Sequence, residues 1–453
     1  MEIGVVVHGP GIVDSGWALE IINLLSKLGD VRCRLGGTMG RTAIIDAGLE
    51  DIVDISLKLL PSESLNIFNS ENVDVIFLLD YGKSSETGHT FGFKVLNHYF
   101  KKISDDTFLA TNHKPLFDSR IPVFQIERPG EEDASIISWN VALNRKMARL
   151  REIGSTEFED TYPDVIPPDV LLKELARILS LNVVDAEYIA DKYFSKASDE
   201  EDASLVEKYF ANIDDKEYYN YRKIHGVSIG DNIFINGYVV GKASSNNLVL
   251  ITKNKILVEI LGGSVKEHGV NKLGKIDLDN VIVKTGLLRV SDKVKPRVLD
   301  ENSEFLNDEY CSSIEDELED KNSYLKVGFV NHVAYDVYRF KTCDLVVTIG
   351  DDTTLVSSDI LYRLNIPIFG ITDGDLDKVV EKAFVNENST IVEVQSGYDD
   401  IVGGHVYKEL FNEEVILKIP YGFNEKSRED VLKEFKEEIF NKIKEEVSAF
   451  KIK

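Results

Sequence analysis

The sequence predicts an α/β protein, with two parallel-sheet domains separated by a helical connector and a small β-rich module. Three observations lead there. Short apolar runs alternate with amphipathic segments at both ends of the chain, and the middle changes to brief β runs broken by Gly and Asn. A chain of 453 residues, at roughly 100–200 per domain, has room for two to four domains.

Residues 3–7 read as a buried strand. Asp14 or Ser15 then caps a helix whose Ala18, Ile21, Ile22, Leu25 and Leu28 recur at helical spacing. Further strands fall at 31–35, 51–55, 73–79 and 121–126, with helices at 40–48, 86–101 and 133–151. Such alternation builds a mostly parallel sheet covered on both faces, so 1–155 is expected to be a Rossmann-like domain. The prolines of Tyr162-Pro163-Asp164-Val165-Ile166-Pro167-Pro168 end the pattern. A helical connector follows over 165–222, with Leu171, Leu172, Leu175, Ile178 and Leu179 on one face. A DNA-reading helix-turn-helix at 170–195 would need basic surroundings, and Asp199, Glu200, Glu201 and Asp202 supply the opposite.

Runs at 232–240, 247–251, 256–261 and 281–285, with turns at Asn254-Lys255 and Gly262-Gly263, make 224–295 a small barrel or sandwich. Residues 298–322 form an acidic linker, because 300–320 holds ten acidic side chains and no basic one. Alternation returns over 323–425, with strands at 326–330, 344–349, 367–371, 390–394 and 415–417, and a second Rossmann-like domain is expected there. The final segment, 426–453, is a charged amphipathic helix with Val431, Phe435, Ile439 and Ile443 on one face. It packs on that domain or on a second copy of the chain.

Charge and cysteine usage narrow the class. With 52 Lys+Arg against 78 Asp+Glu, the net charge of −26 argues against nucleic acid as a partner, since phosphate contacts need clustered cations. Cys33, Cys311 and Cys343 are odd in number and far apart, which suits neither a disulfide framework nor a paired-cysteine zinc site. The acidic start and the lack of a ~20-residue apolar run predict a cytoplasmic protein with no membrane partner.

In open parallel sheets, ligands bind beyond the carboxyl ends of the strands, so the residues after each strand are the informative ones. The loop Gly36-Gly37-Thr38-Met39-Gly40-Arg41-Thr42 is the best anion candidate. Its glycines let backbone approach a ligand, Thr38 and Thr42 add hydroxyls, and Arg34 and Arg41 flank it, although a tight turn with surface arginines would look the same. The junction from Asp80 to His89 offers Asp80 for a metal or ribose and Lys83 for a phosphate. Its Ser84 and Ser85 also suit a helix cap. His8 ends the first strand, where a histidine is ordinarily just hydrogen-bonded, and Glu127-Arg128-Pro129-Gly130-Glu131 forms a fourth polar junction. In the distal domain, Gly350-Asp351-Asp352-Thr353-Thr354 and Thr372-Asp373-Gly374-Asp375 each end a strand. If those strands are neighbours, Asp351, Asp352, Asp373 and Asp375 converge, and crowded carboxylates favour a hard cation such as Mg²⁺. Helix capping is the plainer role for these aspartates, but caps need one each and the two loops supply more.

Two stretches carry a resemblance. Val7-His8-Gly9-Pro10 with Arg34 to Ala43, and Thr348 to Thr354 with Gly370 to Asp375, resemble an uncharacterised protein family of methanogenic archaea. That resemblance runs over essentially the whole chain and implies an archaeal cytoplasm and a role near methanogen metabolism, but no reaction. Locally, Gly350, Asp352 and Thr354 match three positions of the GGDGT loop of NAD kinases and diacylglycerol kinases. That loop contacts nucleotide phosphates; Asp351 and Thr353 replace its two other glycines. Asp373-Gly374-Asp375 is similar to the DxD of toprim domains, without their preceding glutamate strand.

The sequence thus predicts an enzyme that binds a phosphorylated or nucleotide-type small molecule with Mg²⁺ as cofactor and performs phosphoryl or nucleotidyl transfer. Arg34, Gly36, Gly37, Thr38, Gly40, Arg41, Thr42 and Lys83 would hold the anion. Asp351, Asp352, Asp373 and Asp375 would hold the metal, with Asp352 the catalytic carboxylate. The rival reading is a non-catalytic ligand sensor or assembly factor.

Overall fold

Runs of β-branched residues shape the first sheet. In the computed structural model, β1 (Glu2–His8) buries Ile3, Val5, Val6 and Val7 completely. The structure describes residues 1–37, 40–57, 59–103, 121–140, 166–194, 206–211, 213, 215–278, 281–290, 294–300, 324–331, 337–375, 383–422 and 426–453. They fall into two compact units, Met1–Ser228 with Ser245–Asn254, and Ile229–Ser244 with Lys255–Lys453. No helix among the described residues is long and apolar enough to cross a membrane.

The first unit is built on a mixed sheet of seven strands. After β1 come β2 (Asp30–Gly36), β3 (Val53–Asp54), β4 (Val75–Asp80), β5 (Val123–Glu127), β6 (Ser135–Ser138) and β7 (Asn182–Asp185), in the order β3-β2-β1-β4-β5-β6-β7. Only the β5–β6 pair is antiparallel. Register sets Val7 opposite both Leu35 and Leu79, so β1, β2 and β4 end together at one edge.

Two expectations need correction. The helix expected over 133–151 begins instead as β6, where Ile136 and Ile137 are fully buried and pair with Ile126 and Gln125; residues 141–151 lie outside the described residues. A waiting strand edge outweighs the weak helical preference of so short a run. The connector is not helical throughout either. Its helices Pro168–Ile178 and Ala186–Phe194 flank β7, whose Val183-Val184 completes the first sheet beside β6.

The middle of the chain supplies β8 (Tyr219–Ile224), β9 (Asn232–Ile235), β10 (Tyr238–Ala243), β11 (Leu248–Lys253), β12 (Ile256–Leu261), β13 (Gly263–Val265) and β14 (Val283–Thr285). The single run expected at 232–240 is a hairpin. Asn236 and Gly237 take left-handed backbone (φ 49° and 89°), the Asn-Gly signature of a tight two-residue turn. In the second unit β13, β10, β9 and β14 form one sheet, and the helix Glu267–Leu273 packs beside β10.

The distal sheet follows the apolar runs closely. Four adjacent parallel strands, β15 (Tyr324–Asn331), β16 (Leu345–Ile349), β17 (Ile368–Thr372) and β18 (Thr390–Glu393), are bordered by antiparallel β19 (Ile416–Pro420) and β20 (Lys451–Ile452). One face, with Val327, Phe329, Val347, Phe369 and Ile371, packs against the helices Asp399–His405 and Arg428–Glu446 through Val402, Phe435, Ile439 and Ile443. The other face lies under the helix Asp351–Tyr362, where Thr354 bonds Thr348 at 2.8 Å and leaves no space for a side chain at Gly370. Chains leaving β16 and β18 therefore depart to opposite faces and open a crevice at the carboxyl edge.

The last helix contributes core rather than charge. Ile439 is fully buried, and Ile439→Ala is expected to cost about 2–5 kcal/mol in a urea melt of the second unit. A loss under ~1 kcal/mol would mean that this helix is not part of that core.

Candidate functional site

The distal crevice is acidic. β16 and β17 are parallel neighbours, with Val347 opposite Phe369, and this puts the loop after each strand side by side. Asp351 begins the helix after β16, and its Oδ2 accepts the N–H of Asp373 at 2.9 Å and of Gly374 at 2.8 Å. Asp373 in turn accepts the Gly397 N–H on Oδ2 at 2.7 Å, while its Oδ1 is buried and takes no hydrogen bond. Asp351, Asp373 and Asp375 each offer a carboxylate oxygen within 4.8 Å of the others. Three carboxylate oxygens this close can share one hard cation, whose oxygen ligands stand at about 2.0–2.1 Å for Mg²⁺ and about 2.3–2.6 Å for Ca²⁺.

Charge in the crevice is mixed. Burial raises the pKa of Asp375, helped by Asp373 and Asp351 and opposed by Lys266, whose Nζ is 3.7 Å away. Asp399, at the start of the helix after β18, is pushed up to about 7, by burial first and then by Asp373. The helix Glu267–Leu273 adds Lys272 and His268, 3.6 and 3.7 Å from Asp400, and burial lowers the pKa of Lys272. Cations beside clustered carboxylates suit an anion that bridges both, as a metal-bound phosphate does. Asp352 follows Asp351 in the same helix and stays outside the trio.

The residues expected to bind an anion in the first unit separate into two groups. Arg34 is engaged by Asp54 at 2.7 Å and Glu71 at 3.9 Å, with its guanidinium over the Phe68 ring. Gly36 ends β2 and Gly37 follows it, and Gly40, Arg41 and Thr42 start the helix Gly40–Ala47, where Arg41 and Thr42 are buried. Thr38 lies outside the described residues, and Lys83 is exposed. The glycines approach β1: a Cβ at Gly40 would stand 3.3 Å from Gly9 O, and one at Gly37 3.4 Å from the His8 ring.

Sequence reasoning named His8, Asp80 and Glu127 singly, with Asp80 offered to a metal or ribose, and did not connect them. His8 Nδ1 meets Asp80 Oδ1 at 2.8 Å, and its ring stacks on Phe91 at 4.0 Å. Asp80 is hydrogen-bonded to Glu127, a fully buried carboxyl that also accepts the Gly82 N–H at 2.7 Å and lies 3.1 Å from Gln125 Nε2. Gln125 Nε2 donates to Gly88 O at 3.0 Å, and Trp139 Nε1 donates to Gln125 Oε1 at 3.2 Å. Burial, and then the charge of Asp80, hold the Glu127 pKa well above the ordinary range, which favours the protonated carboxyl that can donate. The helix Ser85–Ile103 makes space for this chain. A Cβ at Gly88 would lie 1.9 Å from Glu127 Cδ, and one at Gly92 1.8 Å from Gln125 Oε1. The available signal was Gln125 and Glu127 alternating with Phe124 and Ile126 in a strand buried on both faces, opposite glycines four apart.

Other polar clusters have structural roles. Ser84 Oγ accepts the Thr87 N–H at 3.3 Å, as a cap does. His89, bonded to Ser135 at 2.9 Å, is lowered to about 4 by burial, and burial pushes Cys33 and Cys343 up to about 12, so neither thiol ionises.

Comparison with known proteins gives a single family. A family model described as an uncharacterized protein conserved in archaea (DUF2117) matches residues 5–414. A curated relative from Methanocaldococcus jannaschii, itself described as an uncharacterized protein, is 38% identical over 421 residues, covering 90% of this chain and 92% of its own. No solved structure matches the chain.

Two variants test the buried chain. Glu127 has its folded pKa raised, so below the ordinary glutamate range it costs nothing, and stability falls as pH rises from there towards the folded value. Glu127→Gln mimics the neutral acid and is expected to remove that fall while keeping the first unit folded, as read from denaturant midpoints between pH 4 and pH 8. Gly88→Ala forces a methyl into the Glu127 carboxyl and is expected to cost about 1–3 kcal/mol. An unchanged midpoint would show that the carboxyl does not pack there.

Proposed function

The chain belongs to this uncharacterized archaeal family, and from that premise we propose that it binds a phosphorylated or nucleotide-type small molecule together with Mg²⁺ and performs phosphoryl or nucleotidyl transfer. The observation that carries the proposal is the convergence of Asp351, Asp373 and Asp375 beside Lys266 at the carboxyl edge of a parallel sheet. Asp373 Oδ1, buried and without a hydrogen bond, fits a cation ligand, because a carboxylate oxygen left so is costly. A divalent cation held there supplies charge neutralisation for a phosphate.

The remaining roles belong to the chain's own groups. Lys266 and Lys272 offer ammonium groups to phosphate oxygens, and Asp352 takes the substrate proton. Asp399, near neutrality when no metal is bound, adjusts the local charge as the anion arrives. In the first unit we read the order β3-β2-β1-β4-β5 as Rossmann-like, with Gly36, Gly37, Gly40, Arg41 and Thr42 as a separate anion-binding locus and Lys83 after β4 as a further cation at the same sheet edge.

Calorimetry with MgCl₂, MnCl₂ and CaCl₂ tests the metal. Wild type is expected to bind, Asp373→Asn to bind at least tenfold more weakly, and saturation at 100 times Kd to raise stability by about 2.7 kcal/mol. Absence of binding by all three ions removes the site. If ions and nucleotides bind but the wild type transfers no phosphoryl or nucleotidyl group, the chain is a sensor rather than a transferase; if it does and Asp352→Asn transfers as well, Asp352 is not the base.

A further inference from the structure

His8, Asp80 and Glu127 stand where the strand order of the first sheet reverses, since β1 has β2 and β3 on one side and β4 and β5 on the other. Open sheets take ligands in the crevice beyond the carboxyl ends at that point. We propose that this crevice is a proton-transfer site for a small phosphate-bearing molecule, in which His8 Nε2 exchanges a proton with the ligand, Asp80 orients the imidazole, and Glu127 positions Asp80. The proposal rests on the anion-binding reading of Gly36, Gly37, Gly40, Arg41 and Thr42 and adds to it the residue that would do chemistry.

Three features separate this histidine from one that is merely satisfied. Its Nδ1 is committed to Asp80, which fixes the neutral tautomer with the proton on Nδ1 and the lone pair on Nε2. Among the described residues nothing hydrogen-bonds Nε2, and the His8 side chain keeps 27% of its exposure. Position 37 faces that nitrogen: a Cβ there would stand 3.6 Å from it, and the left-handed φ of 96° disfavours any side chain. Gly9, at φ 74°, has nothing within 4 Å of where a Cβ would be. Among the described residues, backbone thus leaves Nε2 uncovered, and the first turn of the helix Gly40–Ala47 holds no acidic residue.

Behind the imidazole, the chain is arranged for a positive charge that comes and goes. Burial favours the protonated form of Glu127, which can donate to Asp80, while Asp80 Oδ1 faces His8 Nδ1 at 2.8 Å. When a phosphate P–OH or a ligand hydroxyl gives its proton to Nε2, the O–H bond breaks, an N–H bond forms, and the imidazolium lies against the Asp80 carboxylate. The reverse transfer returns the proton, so no further reactant is required. The ring stacked on Phe91 does not need to turn.

The test uses the full chain with ¹⁵N-labelled histidine and glycine, inorganic phosphate as probe, and His8→Gln to assign the ring signal among eight histidines. In wild type His8 should hold its proton on Nδ1, and phosphate should shift both Nε2 and the Gly37 and Gly40 amides saturably. His8→Gln should weaken phosphate binding roughly tenfold, the effect of losing one charge-assisted hydrogen bond. Asp80→Asn should mix the tautomers while the glycine amides still respond, and Glu127→Gln should leave the tautomer as in wild type. If the amides shift but Nε2 does not, or if wild-type His8 carries its proton on Nε2, the proton-transfer role is overturned and the anion-binding reading survives. If neither amides nor ring respond to phosphate, both fall.

Discussion

Parallel register is the constraint on which both units depend. A parallel pair cannot be closed by a short turn, so every crossover returns the chain to the same edge, and polar residues that end one strand meet those that end the next. Val347 opposite Phe369 thereby puts Asp351 within hydrogen-bonding reach of the Asp373 N–H, 22 positions on. Val7 opposite Leu79 does the same for His8 and Asp80, 72 positions apart. A one-residue slip of β4 against β1 would turn Asp80 to the other face, away from His8 and Glu127. In each unit the apolar interior and the polar edge are two results of one alignment.

Legibility in the sequence followed the same division. Continuous apolar runs located β1, β2, β4, β5 and β15 to β18 to within a residue or two, because largely buried strands leave few alternatives, whereas exposed β19 runs three residues past the expected end and β20 was not expected. The run at 344–349 and the one at 367–371 proved to be neighbours, so Asp351 and Asp373 meet as their positions suggested. Short strands were not legible: β6 and β7 have four residues each and form because an edge is available, which no local pattern records. Asp352 shows the limit for side chains, since adjacency to Asp351 in sequence did not bring it into the trio. His8 was not connected to its partners for a related reason. Its chemistry is created by an aspartate on another strand, a glutamate beyond that and a glycine at position 37, none of which is near it in sequence.

Net charge also reads differently once pairs are placed. The arginine-rich stretch 31–45 looked electropositive, yet Arg32 meets Glu71 at 2.7 Å and Arg34 meets Asp54 at 2.7 Å. Those acids come from β3 and from just beyond the helix Pro61–Ser70, so the local excess is cancelled by residues that a window along the sequence does not contain. The acidic crevice is relieved only in part, by lysines at 3.6–3.7 Å. A surplus that survives folding is better evidence of an absent counter-charge than one counted along the chain.

The glycine pair on the helix Ser85–Ile103 bears on how such a protein can diverge. Gly88 and Gly92 exist as recesses for Glu127 and Gln125, so the four positions form one evolutionary unit. A carboxyl at 127 can arise only where 88 is already glycine, because any side chain there would occupy its volume. Loss of the carboxyl, in contrast, releases position 88 to alanine, and loss of the Gln125 amide releases position 92, with a gain of about 0.5–1 kcal/mol at each in helical propensity. That gain makes return harder with every substitution. The order of change is thus directional, and a lineage that abandons the buried acid is expected to keep a firmer helix and lose the route back.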